Sequence, residues 1–126
     1  MHPTRATAEQ PRADRVLSRA FCRAAEALDV AQKEQAKILG VSAASVSRLQ
    51  RGERVLEVDS KEGELALLFV RLFRSLDTMV GGDSGKARDW LHAHNRHLGG
   101  VPAERLATIP GLLHVVEYLD AMRARV

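Results

Sequence analysis

The chain has 126 residues, a length typical of one domain of about 100–150 residues. Hydrophobic residues make up 45% of it and aromatic residues only 4%. Its core must therefore consist mainly of Leu, Val, Ala and Ile, a composition that favours packed helices over an aromatic-rich sheet. A single cysteine excludes an internal disulfide and a cysteine-based zinc site.

Charge is unevenly distributed along the chain. The net charge is +3, and residues 1–61 contain 11 Lys and Arg against 8 Asp and Glu, whereas residues 62–126 contain 8 of each. A polyanion would therefore be bound most easily by the first half. Since the sequence has no secretory signal pattern and no apolar run of about 18 residues, we expect a cytoplasmic protein without membrane contact.

Residues 1–12 are polar, contain two prolines and show no periodicity, which predicts a flexible tail. From Ala13 the apolar residues recur every three or four positions, which predicts a first amphipathic helix. Its apolar face comprises Val16, Leu17, Ala20, Phe21, Ala24, Ala25 and Leu28. Cys22 lies within this helix and is interpreted as a small structural residue.

Residues 32–52 have the pattern of a helix-turn-helix unit. A first short helix ends at Gly40, which tolerates a sharp turn, and Ser42 supplies an N-cap oxygen for a second helix. Ala36 lets the two helices approach closely, and Val46 packs inward. An ordinary helical hairpin is the alternative, but it does not explain why the outer face of the second helix is polar and carries arginines.

The outer face of the second helix is the predicted DNA-binding surface. In helix-turn-helix proteins the first residues of this helix reach base edges in the major groove, and neighbouring residues hold phosphates. Arg48 is suited to bind guanine or a phosphate. The predicted DNA-binding residues are Gln32, Ser42, Ala43, Ala44, Ser45, Ser47, Arg48, Arg51 and Arg54.

A long helical pattern begins at Ser60 and is apolar on more than one side. One side can pack on the helix-turn-helix unit, and we expect the other to pack on a two-fold partner. The predicted dimerisation residues are Leu65, Leu68, Phe69, Leu72, Phe73 and Leu76. A core helix within a monomer is the alternative reading.

Two pairs of glycines divide the rest of the chain. Gly81 and Gly82 are expected to end the long helix, and Gly99 and Gly100 to form a corner before Pro102. The segments beside the corner are predicted to be helical, with Trp90, Leu91 and His94 on one side of the first and Thr108 as the cap of the last. We expect them to form a small cluster around Trp90, separate from the helix-turn-helix unit.

Three histidines, His92, His94 and His97, lie close together and suggest a metal site. No acidic residue or cysteine at a suitable spacing completes a ligand set. No Ser, His and Asp stand in a recognisable nucleophilic arrangement either. The sequence therefore predicts no metal, no cofactor and no catalytic site.

Residues 90–126 resemble the C-terminal toxin-binding domain of the Xre/MbcA/ParS antitoxins. The features that carry the resemblance are Trp90, Leu91, Asn95, Leu98, Gly99, Gly100, Pro102, Leu106, Gly111, Val115 and Leu119. Residues 13–61 resemble the Xre-type helix-turn-helix, a broad class shared by many repressors. Together the two resemblances cover all but the tail.

The resemblance implies a helical homodimer that binds its own promoter and neutralises a RES-domain toxin. Such toxins degrade nicotinamide adenine dinucleotide or transfer ADP-ribose from it, and the antitoxin covers the active-site entrance. Carried over by position, the toxin-binding residues are Trp90, Asn95, Leu98, Gly99, Gly100, Pro102, Asp120, Arg123 and Arg125. Arg123 and Arg125 are suited to bind in an acidic pocket or one that accepts phosphates. The alternative, which explains them equally well, is that their positive charges stabilise the last helix at the negative end of its dipole.

The sequence as a whole predicts an all-α antitoxin and autorepressor that is not an enzyme. It divides into a tail (1–12), a helix-turn-helix domain (13–61), a central dimerisation helix (62–82) and a toxin-binding domain (83–126). The expected partners are a RES-domain toxin, double-stranded promoter DNA and a second copy of the chain. The alternative is a stand-alone Xre-family repressor whose C-terminal helices only dimerise.

Overall fold

The computed structural model describes residues 9–125 and is built from α-helices. The elements are α1 (Glu9–Ala27), α2 (Gln32–Leu39), α3 (Ala43–Gln50), α4 (Lys61–Met79), α5 (Ser84–His92), a short 3-10 helix (Pro102–Arg105) and α6 (Ile109–Arg123). Within these residues the only β-type pairing is an isolated bridge between Asn95 and Gly100. The all-α prediction is confirmed.

Side-chain caps define where four of the helices begin. Each cap oxygen accepts the backbone N–H three residues further on, which satisfies one of the free donors of a first turn. The four caps are Ser42, Ser60, Asp83 and Thr108. The sequence predicts Ser42 and Thr108 as caps, because a cap depends only on its nearest neighbours in the chain, and it predicts Ser60 only as the start of the long helix.

The first helix differs in two respects from the prediction. It begins at Glu9, four residues before Ala13, and includes Pro11 in its first turn, where a missing N–H costs nothing. Residues 1–8 of the predicted tail lie outside the described part of the chain. Val16, predicted to face the core, is 62% exposed, because the buried face of α1 runs through Leu17 and Phe21 instead.

The long helix α4 lies at the centre of the fold. On one side it packs against α1, where the rings of Phe21 and Phe69 lie 5.2 Å apart. On another side it packs against α6 along much of its length. The two helices run in the same direction, since the start of α6 lies beside Leu65 and its end, at Asp120, lies beside Ser75.

This arrangement corrects the predicted dimerisation surface. Leu65, Phe69, Leu72 and Leu76 are buried in the chain's own core, and Leu68 and Phe73 are half-buried against it. Because α6 supplies the second packing surface that the pattern of α4 requires, the four buried side chains are not available to a partner. The alternative reading, a core helix within one chain, is the correct one for this stripe.

The C-terminal cluster shares its core with the helix-turn-helix unit. One continuous set of buried side chains extends from Leu17 in α1 to Leu119 in α6, so the predicted separation of the two parts is wrong. The side chain of Trp90 is half-buried and stacks on Tyr118, with ring centroids 6.2 Å apart. The helix α5 ends at His92, so His94 lies beyond it rather than on its face.

Two glycines allow loops to cross the starts of α4 and α6. A Cβ atom at Gly63 would lie 2.0 Å from the carbonyl oxygen of Glu57, and one at Gly111 would lie 2.0 Å from that of Arg105. No side chain fits at such distances. The two parallel helices therefore begin in the same way, each with a hydroxyl cap, a glycine three residues later and a backbone carbonyl over that glycine.

Candidate functional site

The amino-terminal end of α3 is exposed, and hydrogen bonds between its own residues fix its conformation. The Ser42 hydroxyl oxygen accepts the Ser45 N–H at 3.1 Å, and the two serine hydroxyls lie 3.0 Å apart. Ser42, Ala43 and Ala44 are exposed. Because the first two helical residues carry only methyl groups, a DNA backbone or base edge can approach this end of the helix closely.

The inner face of α3 is held by apolar and polar contacts. Val46 and Leu49 are buried, and the Gln50 amide donates to the Gln35 side-chain oxygen at 2.6 Å. The Gln35 amide in turn donates to the Val30 carbonyl at 2.8 Å. Sequence reasoning missed both glutamines; the only signal was the position of Gln35 beside Ala36 on the inner face of α2. Their bonds fix the angle at which α3 is presented.

The three arginines predicted to bind DNA differ in how far they are already engaged. Arg48 is exposed, and within residues 9–125 its guanidinium has only a 3.4 Å hydrogen bond to Ser45. Arg51 donates to Ser47 and makes a two-pronged pair with Glu53, although both partners are more than half exposed. Arg54 pairs with Glu62 at 3.3 Å, with each side chain 30% exposed. Arg48 is therefore the arginine most available to a duplex.

The structure brings most of the predicted DNA-binding residues to one place. The predicted residues from Ser42 to Arg51 lie at the N-cap and along the outer face of α3, where Ser45 and Ser47 are half-buried. Gln32 is the exposed first residue of α2, and the positive end of a helix dipole favours a phosphate there. Arg54 lies beyond α3, on the segment that two side chains of α1 hold: Ser18 accepts the Leu56 N–H at 2.7 Å and Asp14 the Val58 N–H at 2.9 Å.

The Gly-Gly corner of the C-terminal part is shaped by its own motif residues. The Asn95 N–H donates to the Gly100 carbonyl at 2.8 Å, and its side-chain oxygen accepts the Leu98 N–H at 3.0 Å. Gly99 has a φ of +71°, which only glycine adopts without strain. Leu98 and Pro102 are buried. These residues build the corner and hold its backbone shape.

The ends of α4 and α6 are joined by a polar cluster around Asp120. Its carboxylate accepts hydrogen bonds from Arg71 and, at 2.7 Å, from Ser75, and Arg123 donates to Ser75 at 3.3 Å. Burial alone would raise the pKa of the Asp120 carboxyl. The hydrogen bonds from Ser75 and Arg71, with the charges of Arg71 and Arg123, outweigh it and hold this pKa below its ordinary value.

A groove of about 740 Å³ lies beside this cluster, at the surface between α4 and α6. Its lining residues are Leu67, Val70, Arg71, Arg74, Asp120, Arg123 and Ala124. Sequence reasoning named Asp120 and Arg123 but missed Arg71 and Arg74, because their proximity depends on how α4 packs against α6. Arg125 is exposed just beyond α6.

Two of the three histidines, His92 and His97, contact other parts of the chain. The His92 Nε2 atom lies 2.8 Å from the Leu28 carbonyl oxygen. Since a carbonyl only accepts, this nitrogen carries a proton and ties α5 to the end of α1, together with a 3.3 Å bond from Arg88 to Ala27. His97 lies over the ring of Tyr118. Among residues 9–125, no three His, Cys, Asp or Glu side chains are grouped so as to hold a metal ion.

Cys22 is half-buried and its sulfur lies 3.9 Å from the Leu49 carbonyl oxygen. Burial raises the pKa of its thiol, which disfavours the reactive thiolate.

In the described part of the chain, no helix is long and apolar enough to cross a membrane.

Comparison with known families assigns both parts of the chain. Residues 7–71, more than half of it, match the antitoxin Xre-like helix-turn-helix domain. The chain belongs to this antitoxin family. Residues 75–125 match the antitoxin Xre/MbcA/ParS C-terminal toxin-binding domain. The antitoxin therefore combines a helix-turn-helix domain with a toxin-binding domain, and the resemblance predicted from the sequence is confirmed.

A second similarity covers less of the chain. The antitoxin is 39% identical over 61 residues to a protein of Serratia marcescens described as the uncharacterized tRNA/rRNA methyltransferase LasT. The match includes 48% of the antitoxin and 30% of that protein. The shared segment is thus about a third of the length of LasT.

Proposed function

We propose that this antitoxin represses its own promoter through α3 and neutralises a RES-domain toxin through its C-terminal domain. It acts as a homodimer in the cytoplasm and catalyses no reaction itself. The observation that carries the DNA-binding part is the exposed end of α3, where Ser42, Ala43 and Ala44 form a small, close-approach surface beside the available guanidinium of Arg48.

DNA binding through this surface has a specific electrostatic signature. Arg48 and Arg51 flank the same exposed face of α3, and the pair between Arg51 and Glu53 is exposed enough for a phosphate to compete for the arginine. Binding should therefore release counterions from DNA, so the logarithm of the affinity should fall linearly with the logarithm of the salt concentration.

The experiment for this part is fluorescence anisotropy with a duplex from the region upstream of the antitoxin's own gene. A scrambled duplex of equal length and composition is the control. We expect the upstream duplex to bind about 1,000-fold more tightly or better, with a clear salt dependence for both. Equal affinity for the two duplexes would contradict autorepression.

The toxin-binding part is supported by the family match over residues 75–125 and by the arginines at the end of α6. Arg125 is exposed just beyond α6, and Arg123 is exposed although it donates to Ser75 at 3.3 Å. Exposed arginines of this kind can enter a pocket that accepts carboxylates or phosphates. The choice of a RES-domain toxin rests on the resemblance of residues 90–126 alone.

The experiment for this part is co-expression of the antitoxin with the neighbouring reading frame. We expect that frame alone to stop growth and lower the cellular level of nicotinamide adenine dinucleotide, and the antitoxin to restore both and co-purify with it. A stand-alone repressor would do neither. The purified antitoxin should release no nicotinamide from the dinucleotide, and measurable turnover would make it an enzyme instead.

A further inference from the structure

One exposed side of α1 carries a row of four arginines, which we call the α1 arginine row. Its members are Arg12, Arg15, Arg19 and Arg23, and spacings of three and four residues place them one above another on the helix. All four are exposed. Within residues 9–125, none of their guanidiniums has a hydrogen-bond or ion-pair partner. The row therefore presents unneutralised positive charge along about 16 Å of helix.

No carboxylate interrupts this charge. Asp14 is buried on another side of α1, where it accepts the Val58 N–H at 2.9 Å. Glu26 follows on the side of the row only after Arg23, so it marks the end of the basic stretch. A ligand that binds along the row therefore meets guanidiniums alone over three turns of the helix.

The middle of the row borders the carboxyl end of the recognition helix α3. A cavity of about 240 Å³ lies there, and its lining includes Arg15 and Arg19 of α1, Gln50 of α3, and Gly52 and Arg54 of the following segment. Arg54 is already paired with Glu62 at 3.3 Å. Arg15 and Arg19 therefore supply the free positive charge of this cavity.

The place of the cavity relative to α3 suits the dimensions of DNA. The helix has 8 residues and is therefore about 12 Å long. The major groove of B-DNA is also about 12 Å wide. When the amino end of α3 reaches base edges, the cavity at its other end is within reach of a strand that borders the groove.

We propose that the α1 arginine row binds the phosphate backbone of the duplex beyond the base pairs that α3 reads. Arg15 and Arg19 hold one phosphate in the cavity beside α3, and Arg12 and Arg23 contact the phosphates next to it. Such contacts carry no sequence information, so they strengthen binding to any duplex and lengthen the segment that is covered. The inference rests on the DNA binding of the proposed function and extends its surface to α1.

Other anionic partners fit the row less well. A helix that lies on a membrane surface needs a broad apolar face beside its charges, whereas Val16 is the only large apolar residue of α1 that is exposed. The toxin-binding domain matches residues 75–125, and α1 lies outside that match. Because the row adjoins α3, the duplex that α3 binds is the polyanion nearest to it.

The test measures DNA binding of the full chain by fluorescence anisotropy between about 50 and 200 mM salt. The forms compared with the wild type are Arg15→Ala with Arg19→Ala, and Arg15→Lys with Arg19→Lys. A matched control, Lys86→Ala with Arg96→Ala, also removes two positive charges, but from exposed positions of the C-terminal part. Each form is titrated with the upstream duplex and with its scrambled counterpart.

The double alanine variant loses two phosphate contacts. We therefore expect the slope of the logarithm of affinity against the logarithm of salt to become shallower by about 2. At about 100 mM salt the affinity should fall about 10- to 100-fold for both duplexes alike. The preference for the upstream duplex should remain, because α3 still reads the bases. The double lysine variant keeps both charges and should keep most of the slope, and the control should match the wild type.

Shortening the upstream duplex stepwise from each end shows where the contact lies. Since the row binds phosphates beyond the base pairs that α3 reads, the wild type should lose affinity at a greater duplex length than the double alanine variant does. Loss of affinity at the same length in both would overturn the placement of the contact.

The other contrary results are distinguishable. An unchanged slope and affinity in the double alanine variant would show that the row does not contact DNA. A loss confined to the upstream duplex would assign the effect to base reading, and intact DNA binding with lost toxin capture would assign the row to the toxin. If the wild type binds both duplexes equally, autorepression alone fails, and the change in slope still decides whether the row binds phosphates. Circular dichroism melting checks folding, and we expect no change, because both arginines are exposed and alanine favours helices.

Discussion

The recognition helix α3 and the Gly-Gly corner were both predicted as contact surfaces, yet the fold uses their residues differently. On α3 the predicted residues Ser42, Ala43 and Arg48 are exposed to a ligand. In the corner, Asn95 and Leu98 are used to form the chain's own turn and core. Small residues on the outer face of a capped helix therefore stay available for contacts, whereas Asn, Gly and Pro in a short motif determine a backbone shape.

The largest effect is expected where the corner meets the core. Replacing Leu98 by Ala removes a side chain that is only 5% exposed, so we expect the free energy of unfolding to fall by about 3 kcal/mol. Urea denaturation measures this change. Leu113→Ala, at a residue that is 40% exposed, is the matched control and should cost less than about 1 kcal/mol. Similar losses for both would show that the corner is a surface feature.

On α3, by contrast, we expect a substitution to weaken DNA binding and to leave stability unchanged. Replacing Arg48 by Ala should weaken binding of the upstream duplex by about 10- to 100-fold, because a base or phosphate contact of this kind contributes about 1–3 kcal/mol. The unfolding midpoint and toxin capture should not change. Arg96→Ala removes an equal charge from the exposed side of the corner and should leave DNA binding intact. If DNA binding and toxin capture fall together in folded Arg48→Ala, the two surfaces are not distinct.

Ser42 caps α3 and also lies on its predicted DNA-binding surface, and two substitutions separate these two roles. Ser42→Ala removes the cap of α3 and should lower the free energy of unfolding by about 1 kcal/mol. Ser42→Asp keeps a capping oxygen and so preserves stability, but it places a negative charge beside DNA phosphates. We expect it to weaken DNA binding more than Ser42→Ala does. Thermal melting and anisotropy measure the two properties, and equal effects of both substitutions on DNA binding would exclude this charge effect.

The smallest effect concerns the carboxylate between α4 and α6. The pKa of Asp120 is lowered in the folded chain, so its contribution is fully present above the unfolded value of about 3.9 and is lost as pH falls through the folded pKa. The stability difference between the wild type and Asp120→Asn should be constant from about pH 7 to pH 5 and should shrink below about pH 4. Urea denaturation across this range measures it. Asp89→Asn, at an exposed residue of α5, is the control, and a difference that grows towards acid would contradict the lowered pKa.

The sequence predicted the features that depend on neighbouring residues. The caps at Ser42 and Thr108 and the helix stop at Gly81 involve contacts three to four residues apart, and each was located correctly. The turn of the helix-turn-helix unit follows from Gly40, whose φ is +69°. These features require only a short stretch of chain to be recognised.

The candidate sites were predicted unequally for the same reason. The outer face of α3 follows from helical periodicity, so its exposed residues could be identified from the sequence. The groove at the ends of α4 and α6 joins Arg71 to Asp120, which are 49 residues apart in the chain. No local pattern contains that contact, and sequence reasoning therefore found only one side of the groove.

By itself, the sequence determined most of the helices, the caps at Ser42 and Thr108 and the polar face of α3, because backbone hydrogen bonding and side-chain periodicity act over a few residues. Only the tertiary structure decided which leucines of α4 are buried and which one is exposed. All sides of this helix carry apolar residues, and burial depends on where α1 and α6 come to lie. The packing of α6 turned the predicted dimerisation stripe into core and left Leu67 at the surface.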